Sequence, residues 1–278
     1  MKRIYDWDAR PALRNYTAAD LRALKGQRKL TQTTANSVEE AAAARDAGID
    51  LIMGNAHNTK AVREGAPDLF FTAALGLPDY PTETDILRAA FAAMKDGADS
   101  IYTARGPHIV EMLAREDIPV MCHLGLVPRK STWNGGLRAI GKSTEEALEL
   151  WAAFRRMEDA GAFSVEAEVI CADILTEISM RTSLVTSSLG SGDGADIIYL
   201  FQADICGEAM ACPRHARAFG DLNTLNKRVA AERRKALSEF RKAVQAGEYP
   251  ARQEWVSTDV SNRNEFLQAI SGRQYSEK

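Results

Sequence analysis

The 278-residue sequence lacks several features that mark specialised classes of protein. It has few cysteines and no CxxC pair, so we expect neither a disulfide framework nor a cysteine zinc site. No apolar run approaches the roughly 20 residues of a membrane-spanning helix. The first residues, MKRIYDWDAR, lack the apolar core of a signal peptide. These absences predict a cytoplasmic protein without membrane contact.

The sequence also lacks a large excess of positive or negative charge. The chain carries 35 Lys and Arg against 38 Asp and Glu, for a net charge of −3, and both signs are spread along its length. A nucleic-acid-binding surface needs a basic region that neutralises phosphates, so we expect no nucleic-acid partner. With 45% hydrophobic residues, the chain can bury a sizeable core.

Short apolar runs alternate with amphipathic helical patterns along most of the chain. Helix starts with a Ser cap and a Glu three residues later occur at Ser37 and Ser143. We predict eight strands, at residues 29–34, 49–53, 69–75, 99–103, 118–122, 162–169, 183–187 and 196–201. Strands that alternate with helices pair in parallel through right-handed crossovers. Eight such units predict an α/β fold, a single-domain TIM (β/α)8 barrel.

The barrel is predicted to occupy residues 29–250. We expect residues 1–28 to form an N-terminal extension that packs on the barrel, and residues 251–278 to form a C-terminal tail, which is polar from Ser257 onward.

Active sites of TIM barrels lie at the C-terminal ends of the strands. His123 follows the apolar run Ile118–Met121 and precedes a glycine-containing loop, a position in which such folds present a catalytic group. A histidine that only hydrogen-bonds to the backbone is the alternative. The further candidates at predicted strand ends are Asn55, His57, Ala74, Ala104, Arg105, Glu168, Ser187 and Ser188.

Glu166 and Glu168 are two residues apart on one predicted strand, so both face the same way. Inside a barrel, one is buried and the other lies nearer the mouth. We interpret Glu168, which is nearer the strand end, as the catalytic base. A salt bridge from Glu168 to Arg105 or Arg129 that holds the loops together is the alternative.

Several colinear segments together resemble the ketopantoate hydroxymethyltransferases, a family of the phosphoenolpyruvate/pyruvate TIM-barrel superfamily. The resembling segments are residues 21–35, 46–55, 62–70, 118–128, 134–147, 158–168, 193–207 and 239–251. The resemblance implies an enzyme that adds the one-carbon unit of 5,10-methylenetetrahydrofolate to 3-methyl-2-oxobutanoate. It implies that Glu168 removes the proton beside the carbonyl and that His123 is the active-site histidine. It also implies a homo-oligomer.

The chain departs from the family where the resemblance implies a divalent metal, held by acidic residues after three successive strands. Those positions read Gly54-Asn55-Ala56, Ala73-Ala74 and Ala104-Arg105, and Tyr102 replaces a family lysine. Since Mg²⁺ needs oxygen ligands, normally carboxylates, we expect no metal ligands at these positions and no bound metal.

Other side chains must then supply the missing positive charge. We expect Arg105 to replace part of it, with Asn55, His57 and His123 as hydrogen-bond donors and Ser187 and Ser188 as further substrate-binding groups. Arg129 and its neighbour Lys130 favour a more anionic substrate. An equally good interpretation is that they form a solvated basic loop.

The predicted function is therefore an enzyme that forms or breaks a C–C bond next to the carbonyl of a 2-oxo acid through an enolate, without the family's metal. Folate is a co-substrate only if the family activity is retained. Two alternatives stay open. One is a metal-independent lyase or hydrolase acting on another anionic carbonyl compound. The other is a non-catalytic relative that binds a small molecule.

Overall fold

The computed structural model describes residues 1–209 and 211–271. The chain begins with an antiparallel hairpin, β1 (Lys2–Tyr5) and β2 (Pro11–Arg14), followed by helix α1 (Ala18–Leu24). Thr17 caps this helix in a capping box with Asp20. Leu21 of α1 belongs to the same buried cluster as the barrel residues Leu51 and Phe70.

Eight parallel strands close into a barrel, which confirms the predicted fold. They are β3 (Leu30–Thr34), β4 (Leu51–Asn55), β5 (Phe70–Ala74), β6 (Ser100–Thr103), β7 (Val120–Gly125), β8 (Ser164–Glu168), β9 (Val185–Leu189) and β10 (Ile197–Leu200). Each strand pairs with the next in the chain, and β10 pairs with β3 to close the ring.

Helices follow each of the first six barrel strands, a loop joins β9 to β10, and a short helix follows β10. The helices are α2 (Val38–Asp46), α3 (Thr59–Gly65), α4 (Glu83–Lys95), α5 (Pro107–Ala114), α6 (Thr144–Asp159), α7 (Ala172–Ser179) and α8 (Gln202–Ile205), with 3₁₀ turns at Ala56–Asn58 and Pro128–Lys130. As predicted, Ser37 and Ser143 cap α2 and α6 by accepting bonds from backbone N–H groups three residues on.

Side chains alternate between the two faces of each barrel strand. On β4 and β5, Ile52 and Phe71 belong to the cluster that includes the helices, whereas Met53 and Phe70 belong to a second cluster that includes strand residues of β3, β7 and β10. The period of two therefore assigns one set of residues to the space between strands and helices and the other to the barrel interior.

The chain divides into two compact units, Met1–Asp221 and a second that begins at Leu222. The second contains α9 (Leu222–Gln245), a 3₁₀ turn at Arg252–Glu254 and α10 (Val260–Ser271). The predicted limits of the barrel, residues 29–250, and of the tail, residues 251–278, stay predictions. Residues 272–278 of the predicted tail lie outside the described residues. Within the described ranges, no helix is long and apolar enough to cross a membrane.

Gly54 precedes Asn55 at the end of β4, where the chain passes close to the end of β3. A Cβ at position 54 would overlap the carbonyl oxygen of Ala35. We expect Gly54→Ala to lower the free energy of unfolding by about 1–3 kcal/mol, the usual cost of overpacking. Urea denaturation measures this. Gly106→Ala is the control, because a Cβ there meets nothing closer than 3.4 Å. Equal midpoints for both variants would contradict the prediction.

Candidate active site

The barrel interior contains polar as well as apolar side chains. Six of the polar ones come from six of the eight strands and are Gln32, Tyr102, His123, Glu166, Ser187 and Tyr199. Buried polar groups are costly unless they are paired, so a polar layer in a barrel interior needs either internal bonds or a ligand.

His123 and the two glutamates meet at one point of this layer. His123 lies opposite Glu166 in the β7–β8 register, and Glu168 is two residues further toward the mouth. The Nε2 atom of His123 lies 3.1 Å from Glu168 Oε2 and 3.7 Å from Glu166 Oε1. His123 and Glu166 are buried, whereas Glu168 is partly exposed at the end of β8. The prediction that one glutamate is buried and the other nearer the mouth is confirmed.

Tyr102 holds the other side of the imidazole. Its hydroxyl lies 2.6 Å from His123 Nδ1, in hydrogen-bond contact. Burial and the nearby Glu166 carboxylate raise the pKa of Tyr102 well above its ordinary value, so the phenol keeps its proton. The ring of His123 is thereby fixed, with Nδ1 bonded to Tyr102 and Nε2 facing the two carboxylates.

Burial also changes the chemistry of Glu166. Loss of solvent raises the pKa of this carboxyl to about 7, with the neighbouring Glu168 carboxylate acting in the same direction and His123 opposing it. The phenol of Tyr199, buried in the same interior, has its pKa raised well above the ordinary value for the same reason. The interior therefore disfavours uncompensated negative charge.

Two predicted substrate-binding serines lie on β9 with different surroundings. Ser187 is opposite Glu166 in the register, and its hydroxyl donates to Gln32 Oε1 at 3.0 Å within the barrel. Ser188 donates to the Gly192 carbonyl at 2.7 Å and accepts from the Ser191 N–H. Ser187 thus belongs to the polar layer, while Ser188 anchors the loop that follows β9.

Asn55 and His57 are both exposed at the end of β4. The backbone N–H of Asn55 donates to Asn36 Oδ1 at 2.7 Å, which joins the ends of β3 and β4. His57 lines a surface cavity of about 430 Å³ together with Arg88 of α4 and Asp96, the residue that follows α4. Their roles toward a substrate stay predictions.

The two predicted arginines also have defined positions. The Arg105 guanidinium donates to the carbonyl oxygens of Leu77 and Tyr80, at 3.0 and 2.5 Å, and so braces the loop between β5 and α4. Arg129 is exposed in the 3₁₀ turn that follows β7. The alternative salt bridges from Glu168 to these arginines do not occur, since Glu168 pairs with His123 among the described residues.

Two places can be tested for a metal. Two of the positions that the resemblance implies are adjacent, because Asn55 pairs with Ala74 in the barrel register. The third, Ala104, lies two residues after Tyr102, which pairs with Ala74. The three side chains offer one amide oxygen and two methyl groups, a set that does not fit a hard cation. Elsewhere, His123, Glu166 and Glu168 each offer a ligand atom, and these atoms all lie within 4.8 Å of one another.

His123 and Glu168, which the sequence predicts as catalytic residues, lie together in the structure, and their roles stay predictions. Gln32 and Tyr199, which share the interior with them, are not among the predicted site residues, and Tyr102 is noted from the sequence only as a replacement for a lysine. The usable signal was the strand period, because Tyr102 lies two residues after Ser100 and so shares one face of β6 with another polar side chain. The contacts between strands, however, depend on the register of the closed barrel.

Comparisons with known proteins match most of the chain. The model of the family described as ketopantoate hydroxymethyltransferase matches residues 53–252. The 3-methyl-2-oxobutanoate hydroxymethyltransferase of Thermotoga sp. (strain RQ2) is 31% identical over 267 residues, covering 87% of this chain and 96% of that protein. A protein of the same name from Thermus thermophilus is 30% identical over 260 residues, covering 84% of this chain and 97% of that protein.

Solved structures share the fold at low identity. A 2,3-dimethylmalate lyase of the PEP mutase/isocitrate lyase superfamily aligns with a TM-score of 0.50 and 14% identity, covering 93% of this chain and 100% of that one. A phosphonopyruvate hydrolase aligns with a TM-score of 0.51 and 12% identity, covering 94% and 100%. These likenesses concern the barrel, whereas the sequence matches identify the family: the chain belongs to the ketopantoate hydroxymethyltransferases.

Proposed function

We propose that the protein catalyses aldol-type chemistry at the carbon beside the carbonyl of a 2-oxo acid, through an enolate. The observation that carries the proposal is the Glu168 carboxylate at the barrel mouth, 3.1 Å from the Nε2 atom of His123. The family is one of enzymes that form C–C bonds, which supports the reaction class. The relatives' name makes 3-methyl-2-oxobutanoate the first substrate to test.

In this proposal, Glu168 transfers the proton, and Tyr102 positions His123. Glu168 takes the proton from the carbon beside the carbonyl, and the electron pair of the C–H bond moves into the enolate. The enolate carbon then bonds to an electrophilic one-carbon unit, for which 5,10-methylenetetrahydrofolate is the first candidate. With that donor, the C–N bonds to the one-carbon unit break, their electron pairs go to the folate nitrogens, and water supplies the hydroxyl group of the hydroxymethyl product. In the cleavage direction the same C–C bond breaks and Glu168 returns the proton. His123, fixed by Tyr102, lies beside the developing negative charge.

We infer further that the reaction does not use a cation at the family's position. Support comes from the register row in which Asn55, Ala74 and Tyr102 stand side by side, and from Ala104 just beyond β6. No carboxylate is present at these positions, and Arg105 adds positive charge nearby. A hard cation would be repelled there rather than held.

Deuterium exchange tests the first step directly. In D₂O, the purified protein is expected to exchange the hydrogen at C3 of 3-methyl-2-oxobutanoate or a related 2-oxo acid, without any folate, as followed by NMR. Exchange needs only binding and proton removal, so it detects enolate formation whichever one-carbon donor is used. Binding of oxo acids with no exchange would instead favour the non-catalytic relative, and turnover of other carbonyl compounds alone would favour the lyase or hydrolase.

The unused cation position is tested by rebuilding it. The triple variant Asn55→Asp, Ala74→Asp, Ala104→Glu is expected to gain a saturable rise in melting temperature with Mg²⁺ that the parent protein lacks, because binding to the folded state stabilises it. A Mg²⁺-dependent rise in the parent protein that persists after Glu166→Gln and Glu168→Gln would contradict the inference.

A further inference from the structure

One buried atom of the candidate site is left without a hydrogen bond. His123 Nε2 is buried and has no hydrogen-bond partner among residues 1–209 and 211–271, although carboxylate oxygens of Glu166 and Glu168 lie within 4 Å. The oxygens therefore flank the axis along which Nε2 would bond rather than lie on it. Since buried nitrogen atoms normally have a bonding partner, this one indicates a bound partner other than a side chain of the protein.

The carboxylates beside His123 Nε2 favour a bound cation at this point. Glu166 and Glu168 are two carboxylates on one face of β8, and Glu166 is 4% exposed. In the described part of the chain, the ion pairs of both carboxylates are with His123 alone, and no Lys or Arg reaches them. When both carboxylates are ionised and the imidazole is neutral, two negative charges are left uncompensated in a barrel interior, which is costly.

The distances from His123 Nε2 to the two carboxylate oxygens are near those between the ligands of one metal ion, and all three ligand atoms lie within 4.8 Å of one another. Bonds of about 2.0–2.2 Å to nitrogen and oxygen place neighbouring ligand atoms of one ion about 3.0–3.5 Å apart. His123 Nε2 lies 3.1 and 3.7 Å from the two carboxylate oxygens. A cation on the Nε2 axis would thus complete the bonding of the imidazole and neutralise the carboxylates together.

Tyr102 provides the usual outer support of such a ligand. Metal-bound histidines generally bond through their second ring nitrogen to a neighbouring oxygen, which fixes the tautomer. The Tyr102 hydroxyl lies 2.6 Å from His123 Nδ1. With Nδ1–H donating to the Tyr102 oxygen, the lone pair of Nε2 is free for a metal.

We propose that His123, Glu166 and Glu168 bind a divalent first-row transition-metal ion, of the Mn²⁺, Fe²⁺, Co²⁺ or Zn²⁺ class, inside the barrel mouth. One imidazole and two carboxylates suit these ions better than Mg²⁺ or Ca²⁺, which take oxygen ligands. Three protein ligands leave coordination positions open for a substrate oxygen. Each carboxylate can ligate through one oxygen, so the second oxygen of Glu168 stays available to accept a proton.

This site differs from the family's position at the ends of β4, β5 and β6, on whose residues the expectation of an enzyme without bound metal rests. That expectation stays a prediction, which the titration below tests. From the sequence, Glu166 is predicted only as the buried member of its pair with Glu168.

Metal titration tests the site. The full-length protein is first dialysed against a chelator, and the chelator is then removed. Isothermal titration calorimetry with Mn²⁺, Co²⁺ and Zn²⁺ is expected to show one ion per chain, and Co²⁺ to give visible absorption bands of a nitrogen- and oxygen-ligated ion. His123→Asn and Glu166→Gln are each expected to lower affinity by more than about 100-fold. Tyr102→Phe, which keeps every ligand, is expected to lower it about 10–100-fold.

The matched control variants remove an imidazole or a carboxylate at exposed positions outside the proposed site. His108 and Glu177 are exposed on α5 and α7, so His108→Asn and Glu177→Gln are expected to leave the affinity unchanged. Absence of stoichiometric binding to the parent protein would overturn the proposal, as would equal affinity in His123→Asn. The titration uses no substrate, so failure of the deuterium-exchange assay overturns the proposed function without affecting this result.

Discussion

Glu168→Gln is expected to reduce the rate of C3 hydrogen exchange by about 10²–10⁴-fold, the range typical for loss of a positioned general base. The glutamine amide keeps the size of the side chain but cannot accept the proton. Glu168 is the last residue of β8 and is partly exposed, so the fold has little reason to change. The exchange rate at saturating 2-oxo acid, compared with the parent protein, measures the effect.

Glu177→Gln is the control for this prediction, because Glu177 is exposed on α7 and pairs with Arg181 on the protein surface. It should exchange at the parent rate. Metal content is measured in the same samples, since Glu168 is also a proposed ligand. An unchanged exchange rate in Glu168→Gln would remove its role as base, whatever the metal content shows.

Asp99→Asn is expected to have the largest effect on stability. Asp99 precedes β6 at the opposite end of the barrel from the candidate site, the end whose contacts serve stability in this fold. Its carboxylate accepts from the Arg14 Nε at 2.7 Å, from the Arg63 guanidinium, and from the Phe71 N–H at 2.9 Å. All three charged side chains are largely buried. Asparagine leaves two buried guanidinium groups without their counter-ion, at a cost of about 3–5 kcal/mol.

Urea denaturation followed by circular dichroism measures this loss in the free energy of unfolding. Asp46→Asn is the control, since Asp46 is exposed at the end of α2, and it is expected to change stability by less than about 0.5 kcal/mol. Since Arg14 ends the N-terminal hairpin, loss of Asp99 should also loosen residues 1–16. A denaturation midpoint for Asp99→Asn equal to that of Asp46→Asn would show that the network contributes little.

The sequence alone determined the barrel. Its eight strands are short apolar runs set between helix caps and glycines, and these are local signals that act within a few residues. The ends of the strands are less well determined by the sequence. The strand predicted at residues 118–122 extends in the structure to Gly125, so His123 lies within β7 rather than after it. The alternation of side chains also separated Glu166 and Glu168 from their outward-facing neighbours, because the period of two is fixed by the backbone.

Only the tertiary structure decided which inward-facing side chains meet. His123 faces Glu166 because β7 and β8 pair in one register, and Tyr102 reaches the same imidazole because β6 pairs with β7. Ser187 and Ser188 are adjacent in sequence, yet one enters the polar interior and the other anchors a loop. Register and ring closure depend on contacts between residues far apart in the chain. No local pattern carries that information, so the donor set beside His123 became visible only in the folded barrel.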